Sequence, residues 1–184
     1  MSPRRIAVGL GSNLGDRRAI LERTLQRFRV HPGIEVERAS RWYRTPPMRG
    51  GTAHGWFLNG VAVLTVESPL GALLEWFRAL EAEAGRRRTR PWGDRALDLD
   101  ILLAEDVVQT TPDLTVPHPG IASRPFVLVP LLEVWPAASD PHTGRPWSEA
   151  VPAPGPQPVP VGVVARPTPT LYPEALSRPR GSDR

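Results

Sequence analysis

One apolar segment, residues 97–103, is interrupted by two carboxylates, and it constrains the fold more than any other part of the chain. It predicts a buried strand. Because successive side chains of a strand point to opposite faces, Asp98 and Asp100 lie on one face and their apolar neighbours on the other. Two residues of strand rise put the two Cα atoms roughly 6.5 Å apart. At an effective dielectric constant of about 20, carboxylates at that spacing repel by about 2.5 kcal/mol.

A strand that carries this repulsion needs a cation beside it. The segment 86–90 is rich in arginine, and an oxygen-preferring Mg²⁺ also suits the pair. From the residues alone, a metal site and structural carboxylates paired with arginine explain the pattern equally well. The candidate arginine partners are Arg86, Arg88 and Arg95.

All of the basic side chains are arginines: the chain has 23 of them and no lysine. A Walker-type P-loop, a kinase β3 lysine and a Schiff-base lysine are therefore excluded. Phosphates would have to be bound by metal, backbone amides and guanidinium groups, whose planar fork matches phosphate oxygens. The chain also has no cysteine, which excludes disulfides and thiolate chemistry, and its 4 histidines lack the spacing of a zinc site.

Length and composition predict a single domain followed by a tail. Residues 1–150 are sufficient for one domain with a sizeable core. Nine of the 23 prolines fall in residues 151–184, where apolar periodicity is lost, so this stretch is predicted to be a disordered tail. Because no long apolar run and no signal peptide occur, we expect a cytoplasmic chain that does not bind membranes.

Periodic patterns predict the order strand–helix–strand–strand–helix–strand. The strands are predicted at four places: 4–10, 34–43, 56–66 and 97–103. The first helix follows a cap at Asp16, and the second runs from Pro69 to Gly85. This order is typical of an α+β, ferredoxin-like βαββαβ fold, an antiparallel sheet with helices on one face. A further helix at 126–134 predicts extra C-terminal elements.

Five short segments of the chain carry a family pattern in the family's order. They are Gly9-Leu10-Gly11-Ser12-Asn13-Leu14-Gly15-Asp16, Tyr43-Arg44-Thr45-Pro46-Pro47, Phe57-Leu58-Asn59, Trp92-Gly93 with Arg95 through Ile101, and Val116-Pro117-His118 followed by Arg124-Pro125-Phe126-Val127-Leu128. On these segments the chain resembles the 6-hydroxymethyl-7,8-dihydropterin pyrophosphokinase family of folate synthesis, whose fold is also ferredoxin-like. Asp94 stands where that family usually has proline.

The resemblance implies an ATP-dependent diphosphotransferase. Such an enzyme moves the β,γ-diphosphate of MgATP to the hydroxymethyl group of the pterin and releases AMP. It implies ATP as co-substrate and two Mg²⁺ ions held by Asp98 and Asp100, since metal ions neutralise charge in phosphoryl transfer. It further implies small-molecule substrates, no nucleic-acid partner and a monomer.

Site residues carry over from the family by position. The residues implied in catalysis are Arg86, Arg95, Asp98 and Asp100. Those implied in pterin binding are Thr45, Pro46, Met48, Phe57, Asn59, Trp92 and Phe126. Those implied in ATP binding are Glu81, Arg86, Arg88, Trp92, Arg95, Ile101, Thr115, His118 and Arg124.

One alternative function stays open on the residues alone. A net charge of +4 and a pI near 10.8 also suit a ferredoxin-like RNA-binding module without catalytic activity, which would stack bases on aromatic side chains. The aspartate pair argues against it, because the carboxylates would repel phosphates unless metal is bound. By composition Phe57 and Phe126 are also ordinary core aromatics. Asn59 favours a bound heterocycle, since a buried amide needs partners.

Overall fold

The computed structural model describes residues 2–47, 52–85, 93–105, 107–150 and 156–161. Its elements in chain order are β1 (Arg4–Ser12), α1 (Arg17–Val30), β2 (Ile34–Ala39), β3 (Tyr43–Thr45), β4 (Phe57–Val66), α2 (Leu70–Glu83), β5 (Asp98–Ala104), β6 (Gln109–Thr110), β7 (Thr115–Val116), α3 (Pro125–Val134) and β8 (Val159–Pro160). None of the helices in these ranges combines the length and apolar character needed to span a membrane.

The main sheet has the strand order β5-β1-β4-β3-β8, and β2 also pairs with β4. Every pairing in it is antiparallel. β4 is central because β1 lies along one side of it, while β2 and β3 share the other side. With α1 and α2 as the connecting helices, this is the predicted ferredoxin-like α+β fold, and the prediction is confirmed.

The sheet has two faces with different coverings. We call the face covered by α1 and α2 the helical face; it holds a core that includes Leu25, Phe28 and Phe77 from the helices. We call the opposite face the site face; α3 covers part of it through Leu128 and Leu131. The two helices of the βαββαβ unit thus lie on one face, and α3 is the extra C-terminal element.

The aspartate segment follows the predicted alternation of a strand. Leu97, Leu99 and Ile101 are buried in the core of the helical face. Asp98 and Asp100 occupy the alternate positions of β5 and line a pocket on the site face. The strand therefore supplies core packing on one face and two carboxylates on the other.

The predicted strand 34–43 is in fact two strands, β2 and β3. The interruption follows Ser40, whose N–H donates to the Val61 carbonyl oxygen at 2.8 Å and whose Oγ accepts from Val61 N at 2.9 Å. Beyond it Trp42, 1% exposed, packs over Gly60, where a Cβ would lie 2.7 Å from the indole ring. A tertiary contact with β4 thus accompanies the break, which the local sequence pattern does not reveal.

The C-terminal stretch predicted as a disordered tail, 151–184, includes described residues. Within residues 156–161, Val159 and Pro160 form β8, which pairs with Arg44 and Tyr43 of β3. For this part of the stretch the structure departs from the predicted disorder. The remaining residues of 151–184 lie outside the described residues, and the domain boundary at 150 stays a prediction.

Candidate active site

The candidate site begins with a floor of two glycines on β1. In the register of the sheet, Gly11 pairs with Asp98 of β5 on one side and with Asn59 of β4 on the other. Gly9 pairs in the same way with Asp100 and Val61. No side chain of β1 therefore stands between the carboxylates and the Asn59 amide.

The space above this floor is limited. A Cβ at Gly11 would lie 3.0 Å from Asn59 Oδ1, and one at Gly9 would lie 3.4 Å from the Leu102 side chain. A pocket opens here between the sheet and α3, and its lining residues are Gly9, Leu10, Gly11, Asn59, Gly60, Val61, Asp98, Asp100, Leu102, Phe126 and Val127. The glycines leave room for a ligand that reaches from β4 to β5.

The two carboxylates differ in their surroundings. Asp98 Oδ2 pairs with Arg95 Nη1 at 2.8 Å. The pKa of Asp100 is raised to about 7, chiefly by burial and in addition by the nearby charges of Asp98 and Glu81. The guanidinium groups of Arg124 and Arg95 oppose this rise. A cation beside Asp100 would offset both the free-energy cost of burying its charge and the repulsion from Asp98 and Glu81.

This donor set fits Mg²⁺. Within the described ranges no cluster of three or more His, Cys, Asp or Glu side chains could hold a metal ion. Mg²⁺ does not require one, since it is usually bound by one or two carboxylates and completes its coordination with water and substrate phosphates. The pair of Asp98 and Asp100 therefore suits an ion that arrives with a nucleotide. The alternative of structural carboxylates paired with arginine also holds in part, because Arg95 forms an ion pair with Asp98.

The predicted pterin residues gather at the β4 side of the pocket. Asn59 Nδ2 donates to Thr45 Oγ1 at 2.7 Å, and both side chains are buried. Phe57 is the first residue of β4, pairs with Thr45 and shares the face of Asn59. Phe126 comes from the first turn of α3 and lines the pocket from above. The structure thus brings an amide and two aromatic rings to one side of the site.

Pro46 follows directly after β3 and is exposed. Four of the predicted residues, Met48, Arg86, Arg88 and Trp92, lie outside the described residues.

His118 and Arg124 stand on the side of the aspartates. The His118 N–H donates to the Leu102 carbonyl oxygen of β5 at 2.7 Å. Its Nδ1 accepts from Gly120 N at 2.9 Å. Burial lowers the pKa of His118, the nearby Arg124 lowers it further, and Asp98 acts in the opposite direction. The neutral ring therefore carries its proton on Nε2, which can donate to an anionic oxygen.

The other predicted ATP residues are placed differently. The carboxylate of Glu81 on α2 is buried, and its Oε1 accepts from Leu99 N of β5 at 2.8 Å. The Ile101 side chain lies in the core of the helical face, so only its backbone is available to a ligand on the site face. Thr115 lies on β7, in a two-stranded sheet with β6.

Asn13 and Asp94, for which the sequence pattern predicts no role, hold the loops beside the site through their side chains. Asn13 Nδ2 donates to Asp94 Oδ1 at 2.5 Å, and its Oδ1 accepts from Arg95 N at 2.7 Å. Asp94 Oδ1 also accepts from His54 N at 3.0 Å, a bond that lowers the pKa of Asp94. The hydrogen bond between Arg95 N and Asn13 Oδ1 positions Arg95, which is the ion-pair partner of Asp98. The one signal in the sequence was Asp94 itself, at a position usually occupied by proline.

Comparison with known proteins gives the family. The sequence profile of the 7,8-dihydro-6-hydroxymethylpterin-pyrophosphokinase family matches residues 7–136. The chain belongs to this family. The resemblance inferred from the five segments is therefore confirmed, and the match favours the enzyme over the RNA-binding alternative.

Individual members of the family agree with this. The chain is 42% identical over 132 residues to the 2-amino-4-hydroxy-6-hydroxymethyldihydropteridine pyrophosphokinase of Methylorubrum extorquens, covering 72% of this chain and 83% of that protein. It is 40% identical over 138 residues to the protein of the same name from Synechocystis, covering 75% of this chain and 70% of that protein.

A solved structure shows the same fold at low identity. The Plasmodium falciparum HPPK-DHPS wild type with pteroate matches with a TM-score of 0.60 at 13% identity. The match covers 80% of this chain but only 41% of the Plasmodium chain. This chain thus corresponds to about two fifths of that longer protein, and the likeness supports the ferredoxin-like fold.

Proposed function

We propose that this chain transfers the β,γ-diphosphate of ATP to the hydroxymethyl group of 6-hydroxymethyl-7,8-dihydropterin and releases AMP, as a pyrophosphokinase of folate synthesis. One observation carries the proposal. Asp98 and Asp100 face Asn59 across the bare backbone of Gly11 and Gly9. A site for two carboxylate-bound cations and a site for a flat heterocycle are thereby joined by an open floor, in a chain that belongs to the pyrophosphokinase family.

The β4 side suits the pterin. A fused heterocycle presents donors and acceptors at its edge and a flat face on either side. The Asn59 amide, held by Thr45, would read the edge, while Phe57 and Phe126 would stack on the faces. Backbone groups after β3, at Pro46 and Met48, and the side chain of Trp92 would complete the pterin contacts.

The β5 side suits a triphosphate. We infer that Asp98 and Asp100 hold two Mg²⁺ ions, which supply charge neutralisation for the attacking and leaving oxygens. His118 Nε2–H, Arg124 and Arg95 would donate to phosphate oxygens and stabilise charge that develops in the transition state. Glu81, Arg86, Arg88, Trp92, Thr115 and the backbone of Ile101 would complete the nucleotide contacts.

We propose that the chain acts as a monomer on small molecules in the cytoplasm, where ATP is available. Nucleic acid has no part in the proposal.

The product of ATP tests the proposed function. The purified chain is incubated with ATP, Mg²⁺ and 6-hydroxymethyl-7,8-dihydropterin, and the nucleotides are separated by chromatography. We expect AMP, formed only when the pterin and Mg²⁺ are both present. ADP as the product, or AMP formed without the pterin, would contradict the proposal. Salt-sensitive RNA binding without any nucleotide turnover would support the alternative instead.

A further inference from the structure

The segment 156–161 lies beyond the part of the chain that matches the family, residues 7–136, and it contacts the sheet next to the candidate site. Val159 pairs with Arg44 and Pro160 with Tyr43, in antiparallel register. The Val161 N–H donates to the Trp42 carbonyl oxygen at 2.7 Å. The segment is therefore attached to β3 along that strand's free side.

The sequence of this segment allows pairing on one side only. Successive N–H groups of a strand point to opposite edges, and in Pro158-Val159-Pro160-Val161 valines alternate with prolines. Since Val161 donates toward β3, the N–H of Val159 points the same way, and the two prolines fall where the N–H would point away. Proline is tolerated in an edge strand at such positions. Pro158 is buried and Val161 packs against the core of the helical face.

β3 depends on this attachment because it is short. It has three residues and pairs with β4 on its other side. Without β8 it would be an edge strand held from one side, and short edge strands open easily. β3 carries Thr45, whose Oγ1 accepts from Asn59 Nδ2 at 2.7 Å. The orientation of the Asn59 amide thus depends on β3 staying in place.

We propose that β8 is a positioning strand for the pterin site. By pairing with the open side of β3 it keeps the Thr45 hydroxyl against Asn59 and so presets the amide that reads the pterin edge. The inference rests on the proposed function. It assigns the C-terminal segment a part in pterin affinity. It assigns the segment no part in the binding of ATP at β5, which lies at the opposite edge of the sheet.

The test compares Val161→Pro with Val161→Ala in the full chain. Proline removes the N–H that donates to Trp42, whereas alanine keeps it. We expect Val161→Pro to raise the KM for the pterin about fivefold, the effect of one lost hydrogen bond, with the KM for ATP and kcat within about twofold of the unchanged chain. Val161→Ala should leave all three constants within about twofold. Amide exchange at Tyr43 and Thr45 should accelerate in the proline variant and not in the alanine variant.

A second pair of variants guards against a misfolded Val161→Pro protein. Val159 is 58% exposed, so Val159→Pro removes an N–H without disturbing the core, and Val159→Ala is its control. An unchanged pterin KM in both proline variants would overturn the proposal, as would equal rises in the KM values for pterin and ATP. So would a lower Tm with unchanged kinetic constants, which would show a purely structural strand.

The exchange measurement separates this inference from the proposed function. If the unchanged chain forms no AMP, the proposed function fails, and the pterin affinity is then measured by direct titration. Unchanged exchange at Tyr43 and Thr45 in both proline variants would overturn the positioning role whatever the activity.

Discussion

The two faces of one sheet carry different chemistry on the same strands. On β1, Ile6, Val8 and Leu10 point to the helical face and are buried against α1 and α2. At the alternate positions Gly9 and Gly11, β1 presents no side chain to the site face. The comparison shows how a strand can be anchored by every second residue while the residues between remain available for a ligand.

The faces should therefore respond differently to substitution. Side chains of the helical face contribute burial, which stabilises the fold by roughly 25 cal/mol for each Å² of apolar surface removed from water. Polar groups of the site face cost free energy when they are buried, as the raised pKa of Asp100 shows. Stability and activity are expected to separate along the plane of the sheet.

The largest effect is expected for Asp100→Ala. Loss of this carboxylate should lower pterin-dependent AMP formation by about 10³-fold or more, because metal-ion catalysis contributes several kcal/mol. The Tm should stay the same or rise, since a buried carboxyl with an unfavourable environment is removed. AMP formation and thermal unfolding are measured on the same preparation.

The matched control for Asp100→Ala is Glu22→Ala. Glu22 forms an exposed ion pair with Arg18 on α1, and such pairs contribute little, so both activity and Tm should be nearly unchanged. If the Asp100→Ala enzyme retained its activity, the assignment of Asp100 as a metal ligand would be wrong.

The reverse behaviour is expected for Phe77→Ala. Phe77 is fully buried on the helical face and stacks with Phe28, with ring centroids 5.3 Å apart. Truncation should lower the free energy of unfolding by about 3–5 kcal/mol, while kcat per folded molecule stays within about twofold well below the Tm. Urea unfolding measures the free energy of unfolding, and active-site titration gives the concentration of folded enzyme from which kcat is calculated. A large loss of kcat in fully folded protein would break the division between the faces.

Gly11→Ala should give an intermediate effect confined to the site. Its Cβ would lie 3.0 Å from Asn59 Oδ1, so the amide must move, and we expect the pterin KM to rise by about tenfold, or about 1.4 kcal/mol. Gly71→Ala on α2 is the control, because a Cβ there meets nothing within 4 Å. That change should stabilise the chain by about 0.5–1 kcal/mol and leave the KM unchanged. Equal KM values for the two variants would show that the floor does not limit the ligand.

The smallest effect is a difference in pH dependence. Burial and Arg124 lower the pKa of His118. As the pH falls below about 6.5, the unfolded chain binds a proton that the native ring does not, so stability is lost on acidification. His118→Asn should lose less stability than the unchanged chain between about pH 7 and pH 5. Urea unfolding across this range measures the free energy of unfolding of both proteins. If it changed with pH by the same amount in both, the conclusion that His118 is buried as a neutral ring would be wrong.

Much of this arrangement could be predicted from periodicity. The alternation in residues 97–103 predicted which face of β5 bears Asp98 and Asp100, and the same reasoning placed Phe57 with Asn59 on β4. These predictions depend only on the geometry of a strand, so they need no knowledge of what packs against it.

Contacts between distant segments could not be predicted in this way. The break between β2 and β3 is associated with Trp42 packing over Gly60. The bond from Asn13 to Asp94 joins residues 81 positions apart and depends on the conformations of two loops. The proline-rich composition of residues 151–184 is typical of disorder, and the pairing of 156–161 became visible only with β3 beside it.

The two ends of the sheet have a consequence for behaviour in concentrated solution. β5 lies at one edge, where Glu81 accepts from Leu99 N and the His118 N–H donates to the Leu102 carbonyl oxygen. β8 lies at the other edge, where Pro160 has no N–H to offer. Another chain seeking to extend the sheet would find these backbone groups already bonded or missing. These two parts of the sheet margin, β5 and β8, are thereby protected against strand-by-strand aggregation.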